Sequence, residues 1–176
     1  YDVYVRIAFK VDISSFSSMD RLDLDFCSSS FFQTNFGVTS ALYQEFLKSN
    51  MIYDSFDFDT MFVDQYCIFY FGNYVYGDVD EFASRVVDVV QNPVYDREIH
   101  DLYNNHSRMN IAVRPENLGS MLDPFVDNLI LFDYSDVDRV EDADRRTFER
   151  MKDLMERCYF DSYVVCQMVP ETDLEK

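Results

Sequence analysis

From Val3 to Ile13 the chain alternates strictly. Val3, Val5, Ile7, Phe9, Val11 and Ile13 fall on one face, and Tyr4, Arg6, Ala8, Lys10 and Asp12 on the other. A period of two over this length predicts a half-buried strand. After a Ser-rich loop over 14–20, Leu22, Leu24 and Phe26 alternate with Asp23 and Asp25 and predict a second strand. The period lengthens at residues 39–49. There Leu42, Phe46 and Leu47 form one stripe behind Thr39 or Ser40 as cap, which predicts a helix. Residues 61–71 are apolar and aromatic and predict a long buried strand. Gly72-Asn73 then offers a tight turn into Tyr74-Val75-Tyr76.

Asp78 with Glu81 has the spacing of a capping box, and Phe82, Val86, Val89 and Val90 continue it as a helix that Asn92-Pro93 ends. A further helix is expected over 95–107 with Ile99, Leu102 and Tyr103 inward. Pro115, Gly119 and Pro124 make 110–127 the least regular stretch. Leu129 to Phe132 is a continuous apolar run of the kind a doubly buried strand shows. A charged helix is expected from Asp142 to Cys158, with Phe148, Met151, Met155 and Cys158 inward and Lys152 pairing Glu156. Tyr163 to Met168 reads as a closing strand. Strand, helix, strand in this order predicts a right-handed βαβ unit. The expected class is therefore α/β: a single three-layer-like domain over residues 1–176, with a mixed sheet and that C-terminal βαβ unit.

Composition narrows the function. Apolar residues make up 48% of the 176, enough for a sizeable core, so disorder is excluded. The net charge is -18, with 33 acids against 15 bases and only Lys10, Lys48, Lys152 and Lys176 as lysines. A groove for a phosphate backbone needs clustered Lys and Arg, so nucleic acid is not an expected partner, and neither is an anionic membrane surface. No apolar run approaches the length of a membrane-spanning helix. Cys27, Cys67, Cys158 and Cys166 form no C-x-x-C pair, and a reducing, intracellular setting is the default expectation.

Chemistry-bearing motifs are scarce. His100 and His106 are the only histidines, six apart, and are expected as partly exposed helix residues; no H-E-x-x-H exists. Acids cluster at Asp23/Asp25, Asp57/Asp59 and Asp133/Asp136/Asp138. A hard cation at Asp133 is conceivable, but 24 aspartates in one chain produce such clusters unaided. Four glycines, Gly37, Gly72, Gly77 and Gly119, are too far apart for a dinucleotide fingerprint or a P-loop. No G-x-S-x-G is present. No catalytic, cofactor-binding or metal-ligating residue is assigned.

One resemblance bears on the C-terminal third. Leu129-Ile130-Leu131-Phe132-Asp133-Tyr134-Ser135-Asp136 is similar to the fourth strand of small GTPases with its trailing aspartates. Arg146 to Lys152 resembles the start of the next helix, and Val164 to Met168 followed by Pro170 to Glu175 resembles the fifth strand and the N-K-x-D motif. Upstream, Gln33 to Ser40 falls where a P-loop would lie and Phe69 to Gly72 at D-x-x-G. Yet Gln33 and Val38 replace glycines, Thr39 the phosphate-binding lysine, Phe69 the aspartate, and Pro170 and Glu171 the Asn and Lys. The resemblance implies a pseudo-GTPase that has lost its nucleotide.

Two functions are expected on these grounds. One is a non-catalytic protein–protein interaction domain, a pseudo-GTPase-like scaffold. The other is an acidic viral or phage effector that mimics nucleic acid on a basic partner surface. Both name a protein partner, basic in character, and no cofactor.

Overall fold

The computed structural model describes residues 3–113, 126–132 and 140–168. Strand β1 (Val3–Asp12) forms where alternation predicts it. It runs through the middle of a four-stranded sheet ordered β2-β3-β1-β4, with β2 at Asp57–Val63, β3 at Tyr66–Val75 and β4 at Tyr163–Met168. Every pairing is antiparallel.

Residues 22–26 are not a strand. They lie inside helix α1 (Ser18–Phe36). Ser17 Oγ accepts from the Asp20 amide at 3.1 Å while the Asp20 carboxylate accepts from the Ser17 amide at 3.0 Å, closing a capping box. The alternation misleads because α1 is buried around much of its circumference: Leu22, Asp23, Leu24, Cys27, Phe31 and Phe32 are all inside. A helix enclosed in this way shows no single apolar stripe. Helix α2 (Ala41–Lys48) follows, capped by Ser40.

The hairpin turn is displaced from its expected place. It falls at Asp64-Gln65, between β2 and β3, with Asp64 at φ 58°. A positive φ at the first turn position matches the twist of a two-residue hairpin, and Asp tolerates it. Gly72-Asn73 instead continues β3. Gly72 serves close approach: a Cβ there would lie 2.3 Å from the Tyr4 hydroxyl oxygen.

Helix α3 (Val79–Gln91) starts at Asp78, whose carboxylate accepts from the Asp80 and Glu81 amides. Helix α4 (Arg97–Val113) is rotated from expectation: His100 is buried and Leu102 exposed. Residues 126–132 form helix α5, not a strand. The charged segment after 139 is two helices, α6 (Val140–Arg145) and α7 (Phe148–Glu156), since Thr147 caps the second through the Arg150 amide.

These facts remove the βαβ unit. A helix precedes α6 and α7, and β4 returns antiparallel to β1, so no parallel crossover is made. Among the described residues the sheet is antiparallel rather than mixed. Phe9, Phe69, Phe71, Phe31, Phe32 and Phe160 interlock on the helix side, with the Phe69 and Phe160 ring centroids 5.1 Å apart. Burying each such side chain contributes about 1.5–3 kcal/mol.

Candidate functional site

Two places in the fold gather polar chemistry. The first is the junction of α1 with α4, α6 and α7. Asp23 is fully buried on α1, yet four guanidinium nitrogens reach it. Arg145 Nη2 and Arg146 Nε donate to its Oδ1 at 3.0 and 3.2 Å; Arg145 Nε and Arg150 Nε donate to its Oδ2, both at 3.2 Å. One turn earlier, Asp20 accepts from Arg150 and Arg157. Burial pulls the Asp20 carboxyl upward, but the Ser17 amide and the two arginines outweigh it and hold it at about 2. The Arg146 guanidinium also stacks over Phe26, 3.7 Å from the ring centroid.

Beside this cluster lies a cavity of about 280 Å³, lined by Ser30, His100, Tyr103, Asn104, His106 and Asn110 among others. His100 spans it. Its Nε2 donates to the Arg146 carbonyl at 2.8 Å, and its Nδ1 lies 3.0 Å from Ser30 Oγ. A carbonyl can only accept, which assigns a proton to Nε2. The Ser–His distance is that of an activated nucleophile. Its setting is different. Ser30 is buried within α1, and its hydroxyl also reaches the Cys27 carbonyl at 2.9 Å. Neighbouring Cys27 is no nucleophile either: burial first, then the Asp23 charge, pushes its thiol up to about 12. The geometry joins helices.

The second place is the sheet face turned away from the helices. Tyr4, Tyr66, Tyr70, Tyr74, Ile68, Met61, Val63, Val164 and Met168 lie on it by register, and several are strongly exposed, including Met61, Tyr74, Val164 and Met168. Arg6 and Lys10 stand at its centre. Arg6 lies between the Tyr4 and Tyr70 rings, and Lys10 sits 3.8 Å from the Tyr66 centroid. Tyr4 donates to Asp57 at 2.9 Å. Among the described residues this face carries exposed apolar side chains beside Arg6, Lys10, Asp57 and Asp59.

The acidic pairs read from sequence are not ligand sets. Asp23 is consumed by arginines, and Asp25 accepts from Thr60. Asp57 and Asp59 face outward on β2, where Asp59 caps the Thr60 amide. Asp133, Asp136 and Asp138 lie outside the described residues. Among the described residues no group of three His, Cys, Asp or Glu side chains is placed to hold a metal. His106 is exposed as expected, but His100 is not. The arginine cluster went unread in the sequence because its members lie more than 120 residues from Asp23; the dense run Arg145-Arg146 in an acidic chain was its one signal.

No protein-family model and no curated protein matches the sequence. Solved structures do match the fold. An M16-like peptidase from Alicyclobacillus acidocaldarius superposes with a TM-score of 0.72 at 17% identity, over 97% of this chain and 41% of that one. The periplasmic protease PqqL from Escherichia coli gives 0.73 at 11% identity, over 97% and 19%. The inactive peptidase domain of a zinc protease-type protein from Bordetella parapertussis gives 0.69 at 11%, over 96% and 90%. The chain thus spans about two-fifths of the first and one-fifth of the second.

These likenesses correct the GTPase resemblance. The fold is shared with M16-like peptidase domains, and the segment read as a GTPase fourth strand is helical at 126–132. The pseudo-GTPase scaffold and the viral nucleic-acid mimic are both set aside, since neither finds support in the fold or its neighbours. No helix among the described residues is long and apolar enough to cross a membrane. An intracellular setting gains nothing from neighbours that include a periplasmic protease.

Proposed function

We propose that this chain is a peptidase-fold unit without zinc chemistry of its own, working as one part of a larger peptidase-like assembly. One observation carries the reading: the fold is that of zinc-peptidase-type domains, but the ligand set is missing. Zinc peptidases of the relevant kinds hold the metal with two histidines on one helix, as H-E-x-x-H or H-x-x-E-H. This sequence has two histidines spaced six apart. Both ring nitrogens of His100 are engaged, by Ser30 and by the Arg146 carbonyl, so that imidazole has no lone pair to offer inward without breaking the helix junction. Zinc does not fit these residues, and no hydrolytic step is derived through it.

The partial coverage of the longer neighbours supports the assembly part of the reading, as does the open sheet face. A larger protein would cover that face by packing another unit on it. The test is metal content and peptide hydrolysis of the 176-residue chain. After dialysis against trace zinc, far less than one equivalent is expected by mass spectrometry, with no cleavage of unstructured peptides. One retained equivalent of zinc together with peptide cleavage that a chelator abolishes would sink the reading.

A further inference from the structure

The sheet ends in two edges that are built differently. On β2, Asp57 and Asp59 project to the open face, and Asp64 follows at the turn; all three are exposed. Charges on an edge strand discourage a further strand from pairing. Strand β4 has no such guard. Tyr163-Val164-Val165-Cys166-Gln167-Met168 carries no charge, proline or glycine, in a chain where 27% of residues are charged. All six are exposed. Val165 shares a face with Ile7, and Val164 a face with Ala8, so uncovered β-branched residues stand on both sides of the strand.

Among the described residues β4 has one ladder, with β1, from Phe9↔Tyr163 to Tyr4↔Met168. Among the described residues nothing pairs with its other side, which presents backbone donors and acceptors in strand geometry. An apolar strand with Tyr163 and the β-branched pair Val164 and Val165 pairs readily with an incoming strand.

We propose that β4 is a docking edge that takes an extended segment of another polypeptide as an added strand. That segment is β-branched where it pairs and carries Lys or Arg at its ends. Charge selects the partner. The chain is at -18, and exposed Asp161 and Asp12 outnumber Lys10 at the end of the edge where β4 begins. Basic ends are drawn to that surroundings, whereas a second copy brings a further -18 to the same edge. This inference goes beyond the peptidase-fold reading and stands or falls apart from it, since it concerns a strand edge and not metal.

The probe is a synthetic peptide of about ten residues, alternating Thr and Val between paired lysines, titrated into the full chain by fluorescence anisotropy. One control peptide has glutamates at its ends, and another has two central prolines, which remove ladder donors. Hydrogen exchange locates the contact. The lysine-ended peptide is expected to saturate the chain, both controls to bind at least about tenfold more weakly, and the amides of 163–168 to exchange more slowly in the complex. Val164→Lys places a charge on an exposed position of the edge; it is expected to abolish binding while the thermal midpoint stays put. No saturable binding, undiminished binding of the proline peptide, or slowed exchange at β2 in place of β4 overturns the proposal. A free chain that sediments as a dimer, and becomes monomeric on Val164→Lys, overturns it in favour of self-pairing.

Discussion

Tyr4 and Gly72 are a matched pair on the open sheet face: the tyrosine hydroxyl sits where a Cβ on Gly72 would be, 2.3 Å from that position, and from there donates to Asp57. Gly72→Ala is therefore expected to destabilise the fold by about 1–3 kcal/mol through overpacking. In a Tyr4→Ala background the same change should cost little, because the obstructing ring is gone. Chemical denaturation of the four members of the cycle measures the coupling. Additive costs would mean that Gly72 matters for its backbone and not for the contact.

The buried carboxylate of Asp23 holds three arginines, one from α6, one from the link that follows it and one from α7, against α1. Asp23→Asn keeps the shape and removes the fully buried charge on which Arg145, Arg146 and Arg150 converge. A loss of about 3–5 kcal/mol is expected, the range for breaking a buried ion pair from one side. Asp153, an exposed neighbour of Arg150 and Arg157, serves as the control. Asp153→Asn is expected to change stability by less than about 1 kcal/mol.

Asp20 gives the same junction a pH dependence. Its folded value of about 2 lies below its ordinary 3.8. The folded state thus binds a proton less readily than the unfolded one, and the group adds stability above about pH 4. That contribution is lost as pH falls from about 4 through 2. Asp20→Asn should lower stability at pH 6 and make the melting temperature less steep in pH across that window. An unchanged slope would show that Asp20 is not held by Arg150 and Arg157 in solution.

Much of the architecture can be read from residues whose neighbours in sequence are also their physical determinants. Ser40, Asp78 and the strict alternation of β1 each announce their element locally. What cannot be read this way depends on distant partners. Leu22, Leu24 and Phe26 alternate like a strand, and only their enclosure by the sheet and the other helices makes a helix the better solution. Leu129 to Phe132 has the apolar run of a buried strand but lies in α5, with Phe132 edge-on to Phe62. The candidate site was less legible still. His100 acquires its meaning from Ser30 and the Arg146 carbonyl, 70 and 46 residues away. Among the described residues, the openness of the sheet face and of β4 is a matter of where the helices pack, which no residue encodes alone.

The four thiols divide sharply by environment, and this gives a direct check on the fold. Cys27, Cys67 and Cys158 are buried, whereas Cys166 lies exposed on β4. Burial raises all three inner thiols, Cys27 and Cys158 to about 12, so the reactive thiolate is scarce as well as shielded. Titration of the native chain with an aromatic disulfide reagent at neutral pH should modify one thiol quickly and the other three only on unfolding. Mass mapping should find the fast label on Cys166, and Cys166→Ser should remove it. The label also reports on the edge: Cys166 shares the open face with Arg6, so a strand docked on β4 should slow its reaction without touching the other three. Two or more fast thiols in the native chain would mean that the helix layer over Phe9 and Phe69 is looser than its packing implies.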